Sequence, residues 1–334
     1  MNVESTSFLV TASPHIRTKR SVQSIMLDVI IALIPTLIIS IITFGYRAFL
    51  VVFISVFASV LSEWFYQKIT KQKVRIFDLS AIITGIILAY SLPVGIPLWI
   101  PFVGSFFAIV LVKQIFGGIG QNFMNPAMAG RALLLAAYAG PMTAFLYGRQ
   151  VNIDGIAGPT PLSSMQGHTM IFSWYEPFMG SGQYWYQAFL HNPNGSLGEV
   201  SALALIIGGI YLIIRRVISW RMPVFFIATL AIFTWVFRNP DAFFSGQPLF
   251  ELAFGGAMLG AFFIVTDYSS SPMSTLGQII FAIGVGALTG IIRIWATFPE
   301  GLSYAIILMN LIVPLIDKVI KPRVYGTKNI NGGM

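Results

Sequence analysis

Four short stretches of the chain hold side chains able to bind or transfer something. The first is Gly117-Gly118-Ile119-Gly120-Gln121-Asn122-Phe123-Met124-Asn125-Pro126, followed by Arg131. Asn125 before Pro126 is a natural helix N-cap. That role accounts for Asn125 but leaves Gln121, Asn122 and Arg131 unexplained in a greasy context. Amide groups at a helix start suit the carbonyl and ring-nitrogen edge of a flavin, or a phosphate. The second is Val151-Asn152-Ile153-Asp154-Gly155-Ile156-Ala157-Gly158-Pro159-Thr160-Pro161-Leu162. By spacing alone it is a turn-rich surface segment. The functional alternative is that Thr160 offers a hydroxyl on a Gly-flanked strand, which enters another enzyme's active site and accepts a phosphoryl group. The third, Thr266-Asp267-Tyr268-Ser269-Ser270-Ser271-Pro272, places an acid at the end of an apolar run. The fourth, Ser13-Pro14-His15-Ile16-Arg17, reads as a basic tail that helps set topology.

Other chemistries find no support. His15, His168 and His191 are scattered, so no metal site is expected. The chain has no cysteine, which excludes disulfides and any iron–sulfur cluster held by its own thiolates. Gly117–Gly120 lacks the Lys-Ser/Thr pair of a phosphate-binding loop, and no Rossmann glycine pattern is present. Acids near membrane depth are costly and are functional candidates by default. Asp28, Asp78, Glu251 and Asp267 are therefore candidate ion-path acids, with Glu63 under the same suspicion. Each has a structural alternative; Asp78, for instance, stands where it would cap a helix.

The elements that must position these groups are membrane-spanning helices. Hydrophobic residues make up 56% of the 334 and charged residues only 10%, against about 25% charged in a soluble domain. So few charges cannot build a water-facing surface. Apolar runs near 22–44, 48–66, 79–92, 98–116, 126–147, 200–214, 223–237, 250–266, 276–292 and 302–320 predict an all-α polytopic protein of about ten transmembrane helices. No cleavable signal peptide is expected, because the first 21 residues are polar and basic. With the N-terminus in the cytoplasm and strict alternation, sixteen Lys and Arg fall on the cytoplasmic side. Only Arg47, Arg149, Arg238 and Arg293 fall opposite. That positive-inside bias explains the net charge of +8 without nucleic acid, and predicts an even number of spans with both termini cytoplasmic.

This divides the chain into a tail (1–21), five spans (22–147), an extracytoplasmic loop (148–198), five more spans (199–320) and a second cytoplasmic tail (321–334). The loop is rich in Gly, Pro, Ser, Trp and Tyr. It reads either as a functional segment or as a cap with Trp174, Tyr184, Trp185 and Tyr186 at headgroup level. Gly85…Pro97 echoes Gly260…Pro272 at one constant offset, 260 − 85 = 175. Five spans separate the copies, so they would run in opposite directions as an inverted 5+5 repeat. Such repeats place sites near the bilayer midplane between the halves.

Together these stretches resemble one membrane family. It comprises the D subunit of the Rnf ion-translocating ferredoxin:NAD oxidoreductase and the B subunit of the sodium-translocating NADH:quinone oxidoreductase. The similar segments are Ser13–Arg17, Ile25-Met26-Leu27-Asp28, Gly117–Arg131, Asp154–Leu162, Thr266–Pro272, Asn310–Asp317 and Pro322-Arg323-Val324-Tyr325-Gly326, nearly the whole chain. The short N-terminal segment is closer to the Rnf members. The resemblance implies FMN joined covalently through a phosphodiester to Thr160, installed by a flavin transferase that reads Asp154, Gly158 and Thr160. Here Ala157 stands where the motif has a hydroxyl residue and Pro159 where it has Ala; neither removes the acceptor hydroxyl. It also implies noncovalent riboflavin near Asn122 and Asn125, with Arg131 beside them. The activity implied is electron relay from ferredoxin toward NAD, coupled to Na⁺ or H⁺ translocation in a bacterial cytoplasmic membrane. The implied partners are other subunits of such a complex, including a second FMN-bearing subunit and iron–sulfur subunits. The residues alone leave open a different class, an inverted-repeat solute channel or carrier without redox cofactor.

Overall fold

The computed structural model describes residues 20–146, 157–158, 189–190, 192, 195–239, 243–296 and 301–321. Among the described residues, four helices are long and apolar enough to cross a bilayer: α1 (Val22–Phe44), α2 (Tyr46–Ile69), α11 (Thr275–Trp295) and α12 (Leu302–Val319). Five shorter apolar helices pack among them: α3 (Ser80–Tyr90), α4 (Trp99–Gln114), α5 (Pro126–Ala137), α7 (Ala202–Ile214) and α8 (Arg221–Phe237). Short pieces complete the bundle: α6 (Ala139–Thr143), α9 (Pro248–Ala253) and α10 (257–264). A two-residue ladder pairs β1 (Phe145–Leu146) with β2 (Ala157–Gly158).

Local chemistry explains most helix starts. Ser21, Asn125, Ser201 and Ser274 each accept a backbone N–H three residues on, satisfying a donor that the helix itself cannot. One face of α1, with Ile31, Ile34, Ile38 and Ile42, is left exposed and apolar, as lipid contact requires. The opposite face packs on α7 so closely that a Cβ at Gly208 would run into the Ala32 carbonyl. Buried hydroxyls tie the helices together: Tyr90 donates to the Leu33 carbonyl at 2.8 Å and Ser55 to the Gly85 carbonyl at 2.8 Å. Small interfacial residues and interhelical hydrogen bonds hold bundles in lipid, where apolar burial between helices contributes little.

Two predicted runs are divided. The run at 126–147 breaks at Tyr138, whose φ of −132° and ψ of 49° leave the helical region ahead of Gly140-Pro141. The run at 250–266 breaks at Gly255 and Gly256, whose φ values of 68° and 66° are left-handed. Hydropathy is blind to both breaks, because the residues remain apolar. Helices α3 and α10 both stop short and enter turns, at 91–98 and 265–274, that carry the chain back toward the next helix.

The starts of α1, α3, α5, α8 and α11 gather at one end of the bundle with the ends of α2, α4, α7, α10 and α12. That end carries Arg20, Lys68, Lys71, Lys73, Arg75, Arg215, Arg216, Arg221, Lys318 and Lys321 and is called the basic end below. The turns at Gly45 and 91–98 lie at the opposite end, where the Arg47 guanidinium donates to the carbonyls of Val94, Gly95 and Ile96.

Candidate functional site

At the basic end, two of the stretches singled out in the sequence meet. Gly117, Gly118 and Gly120 take φ values of 114°, 90° and 82°, and the turn they form delivers Asn122 and Asn125 to the start of α5. Asn125 Oδ1 accepts from the Met128 N–H at 3.1 Å, which is the cap expected from the sequence. Its Nδ2 donates to Asp267 Oδ2 at 3.3 Å. Asn122 Nδ2 donates to the Met124 carbonyl at 3.0 Å and to Ser269 Oγ at 2.9 Å. Asp267 also accepts from the hydroxyls of Ser269 and Ser270 and from the Ser269 N–H. From α12, the Asn310 amide, oriented to satisfy both neighbours, donates to the Ser270 carbonyl and accepts from the Asn125 N–H, each at 3.0 Å. The turn after α10 is thus locked to the start of α5, although 142 residues separate Asn125 from Asp267.

Beside this polar knot opens a cleft of about 110 Å³. Its walls are apolar: Val29 of α1, Ile83 and Ile87 of α3, Leu212 of α7, Phe262 and Phe263 of α10. Its polar lining is Ser80, Thr84, Lys113, Asn122, Asn125, Thr266, Asp267, Tyr268 and Ser269. Desolvation pushes the Tyr268 phenol above its ordinary value, and the Arg20 charge opposes that shift. A mostly apolar pocket with a few convergent polar groups is the usual form of a small-molecule site.

An amide offers two N–H donors and two acceptor lone pairs. Asn122 spends both donors inside the chain, leaving its carbonyl oxygen. Asn125 spends one donor on Asp267, leaving one N–H. An acceptor beside a donor is the complement of an imide edge, in which N–H and C=O alternate. The flat apolar walls suit an aromatic ring system. The residues present therefore fit a flavin ring.

A buried ion cluster forms one side of the cleft. Lys113 Nζ lies 3.1 Å from Glu63 Oε1, with the side chains 3% and 1% exposed. Lys113 also donates to Ser80 Oγ at 2.6 Å, and Ser80 Oγ donates to Asp78 Oδ1 at 2.7 Å. Gln67 and Gln114 donate to Glu63 as well. Lys113 and Gln114 are adjacent, and both reach Glu63 because Phe107–Gln114 is wound as a π-helix. Beyond the pair, a second recess of about 340 Å³ is lined by Glu63, Gln67, Asp78, Arg75 and Gln114, among others.

The other residues picked from the sequence lie elsewhere. Asp28 accepts from Tyr211 Oη at 3.0 Å and pairs with the half-exposed Arg215, clamping α1 to α7. Asp78 caps the Ser80 N–H at 2.9 Å. Arg131 is absent from the cleft lining; its guanidinium donates to Ser303 Oγ at 2.8 Å. The Glu199 carboxylate acts on both Arg131 and Arg293. Glu251 pairs at 3.2 Å with Arg293, which is fully buried, and at 3.1 Å with Arg238. Arg293 also donates to the carbonyls of Glu251, Phe254 and Gly255, at the break between α9 and α10. Gly158 pairs with Phe145 in the short ladder, two positions before Thr160. Asp154 and Thr160 lie outside the described residues, as do His15, His168, His191 and Pro322–Gly326.

Sequence reasoning missed three members of these sites. Lys113, Arg293 and Asn310 entered it only as topology markers or motif residues. The available signal was a polar side chain within an apolar run, the rule that had already singled out the acids.

Known proteins share this sequence over nearly its whole length. The model of the NQR2, RnfD, RnfE family matches residues 9–326. The chain is 47% identical over 324 residues to the D subunit of the Na(+)-translocating ferredoxin:NAD(+) oxidoreductase complex of Acetobacterium woodii, covering 96% of each chain. It is 40% identical over 323 residues to the D subunit of the proton-translocating ferredoxin:NAD(+) oxidoreductase complex of Clostridium ljungdahlii, covering 96% of this chain and 97% of that one. It is 37% identical over 335 residues to the D subunit of the ion-translocating oxidoreductase complex of Stutzerimonas stutzeri, covering 94% of each.

Proposed function

Because the chain belongs to the NQR2, RnfD, RnfE family, we propose that it is the flavin-carrying membrane subunit of a redox-driven Na⁺ or H⁺ pump. In this reading it relays electrons between ferredoxin and NAD alongside other membrane and peripheral subunits, among them a second FMN-bearing subunit and iron–sulfur subunits. The observation that carries the reading is the cleft at the basic end, with apolar walls and a donor–acceptor pair from Asn122 and Asn125. Riboflavin fits it. Bound there, a flavin takes up and releases electrons one at a time; the protein's part is to hold and tune it. Phe262, Ile83 and Leu212 would exclude water from it, the two asparagines would hold its imide edge, and Asp267, bonded to Asn125, would fix that side chain.

FMN is carried on Thr160. Gly158, paired with Phe145, stands two positions before it in the sequence, and Asp154 is part of what a flavin transferase reads. The ten-span reading places this loop outside the cytoplasm, with both termini inside and the basic end at the cytoplasmic face of a bacterial cytoplasmic membrane. The inverted 5+5 repeat is supported by the paired half-helices: α3 shifted by 175 residues falls on 255–265, around α10, and runs the opposite way.

Two measurements test the reading. Co-expressed with a flavin transferase, the chain is expected to give an ultraviolet-excited flavin band on a denaturing gel that Thr160→Ala abolishes. A band that survives Thr160→Ala removes the covalent assignment. Native protein is expected to release riboflavin on denaturation, and Asn122→Leu to release little. No riboflavin from the wild type removes the cleft assignment.

A further inference from the structure

Among the described residues, Lys113 is the only Lys or Arg that lines the cleft, and its counter-ion is not in the cleft. Glu63 lines the neighbouring recess instead, so the ion pair forms the partition between the two cavities. Ser80 and Asp78 repeat the arrangement: Ser80 lines the cleft, Asp78 the recess, and two hydrogen bonds, from the Ser80 N–H and hydroxyl, join them. The acid that does line the cleft, Asp267, is occupied by Asn125, Ser269 and Ser270 rather than by Lys113. The cleft wall therefore includes a buried lysine whose counter-ion, Glu63, lies in the recess behind it.

Resting on the flavin reading of the cleft, we propose that Lys113 is the counter-charge that favours the reduced, anionic form of the ring bound there, and that Glu63 sets how strongly it does so. Forming the anionic hydroquinone takes two electrons, delivered one at a time by the preceding carrier of the complex, and one proton from water; both electrons pass to the next carrier as the proton is released. No bond forms or breaks at Lys113. In a buried, low-dielectric site one unit charge discriminates strongly between a neutral and an anionic ligand. Weakening the Glu63 bond leaves more of the Lys113 charge for the cleft. Reduction in the cleft and charge in the recess are then coupled in both directions, since linkage between two sites is reciprocal.

The test is riboflavin binding to the purified full chain in detergent, oxidised and dithionite-reduced, at a mildly alkaline pH where the reduced ring is an anion. Lys113→Met is expected to weaken binding of the reduced form at least tenfold while leaving the oxidised form nearly unchanged. That ratio corresponds to about 30 mV for a two-electron couple. Glu63→Gln is expected to shift the ratio the opposite way, and Lys113→Arg to keep it near wild type. Equal weakening of both forms in Lys113→Met would mean a packing role only and overturn the proposal. Should Lys113→Met not fold, an unchanged ratio in Glu63→Gln overturns it. Failure of the wild type to bind either form overturns the cleft reading itself, a result distinct from the others.

Discussion

Two buried ion clusters built from the same chemistry stand at opposite ends of the bundle. Near the basic end, Glu63 and Lys113 join α2 to α4; at the other end, Glu251, Arg293 and Arg238 join α9, α11 and the end of α8. Glu63 and Arg238 even stand at the repeat offset, 238 − 63 = 175. Their surroundings differ. The first pair is balanced and has a cavity on either side. In the second, Arg293 and Arg238 share Glu251 while Glu199 also acts on Arg293, and the fully buried Arg293 donates to carbonyls released where α9 breaks from α10. A buried ion pair is thus not informative by itself. What it borders decides whether it closes a gap in the backbone or faces a ligand.

Four substitutions sharpen that contrast. Glu251→Ala should have the largest effect, because it leaves the fully buried Arg293 and the largely buried Arg238 without the carboxylate they share. Breaking a buried pair costs about 3–5 kcal/mol, so a large drop in melting temperature of the detergent-solubilised protein is expected. A drop no larger than that of an exposed variant would erase the distinction between the two clusters. Lys113→Met comes next. Gln67 and Gln114 still hold Glu63, so the loss should be nearer that of a charged hydrogen bond, about 1.5–3 kcal/mol. Adding Glu63→Leu should restore stability, since apolar replacement of a whole buried pair is commonly neutral or better. A double variant that is less stable than the single one would show that the pair is structural. Asn125→Ala removes the cap of α5 at a cost of about 1 kcal/mol, and should lower riboflavin content far more than it lowers stability. Asp28→Asn should do least: Arg215 is 47% exposed, and such pairs contribute about 0–1 kcal/mol. Thermal unfolding and flavin release on the same samples measure all four.

The sequence was most legible where one local rule decides. The Asn125 cap, the Asp78 cap and the apolar helices follow from residue type and immediate neighbours. They agree with the structure, as do the ends of α1, α7, α8 and α12 to within two residues or so. The breaks at Tyr138 and Gly255–Gly256 did not show, because hydropathy averages over a window and a backbone reversal changes no hydropathy. Arg131 shows the limit at the site. Its place six residues after Asn125 suggested a shared ligand, but one and a half helical turns aim its guanidinium at Ser303 instead.

By itself, then, the sequence determined that the chain is a helical membrane protein, which segments meet lipid, and which family it belongs to. Each follows from composition, periodicity or motif, all carried locally. Only the tertiary structure decided which polar residues share a site. Asn125 meets Asp267, and Lys113 divides Glu63 from the cleft, across separations of 142 and 50 residues. The physical reason is that a lone polar group in lipid must find a partner wherever the packing brings one. Which partner that is depends on helix register and on where helices break, and neither is written in the residue alone.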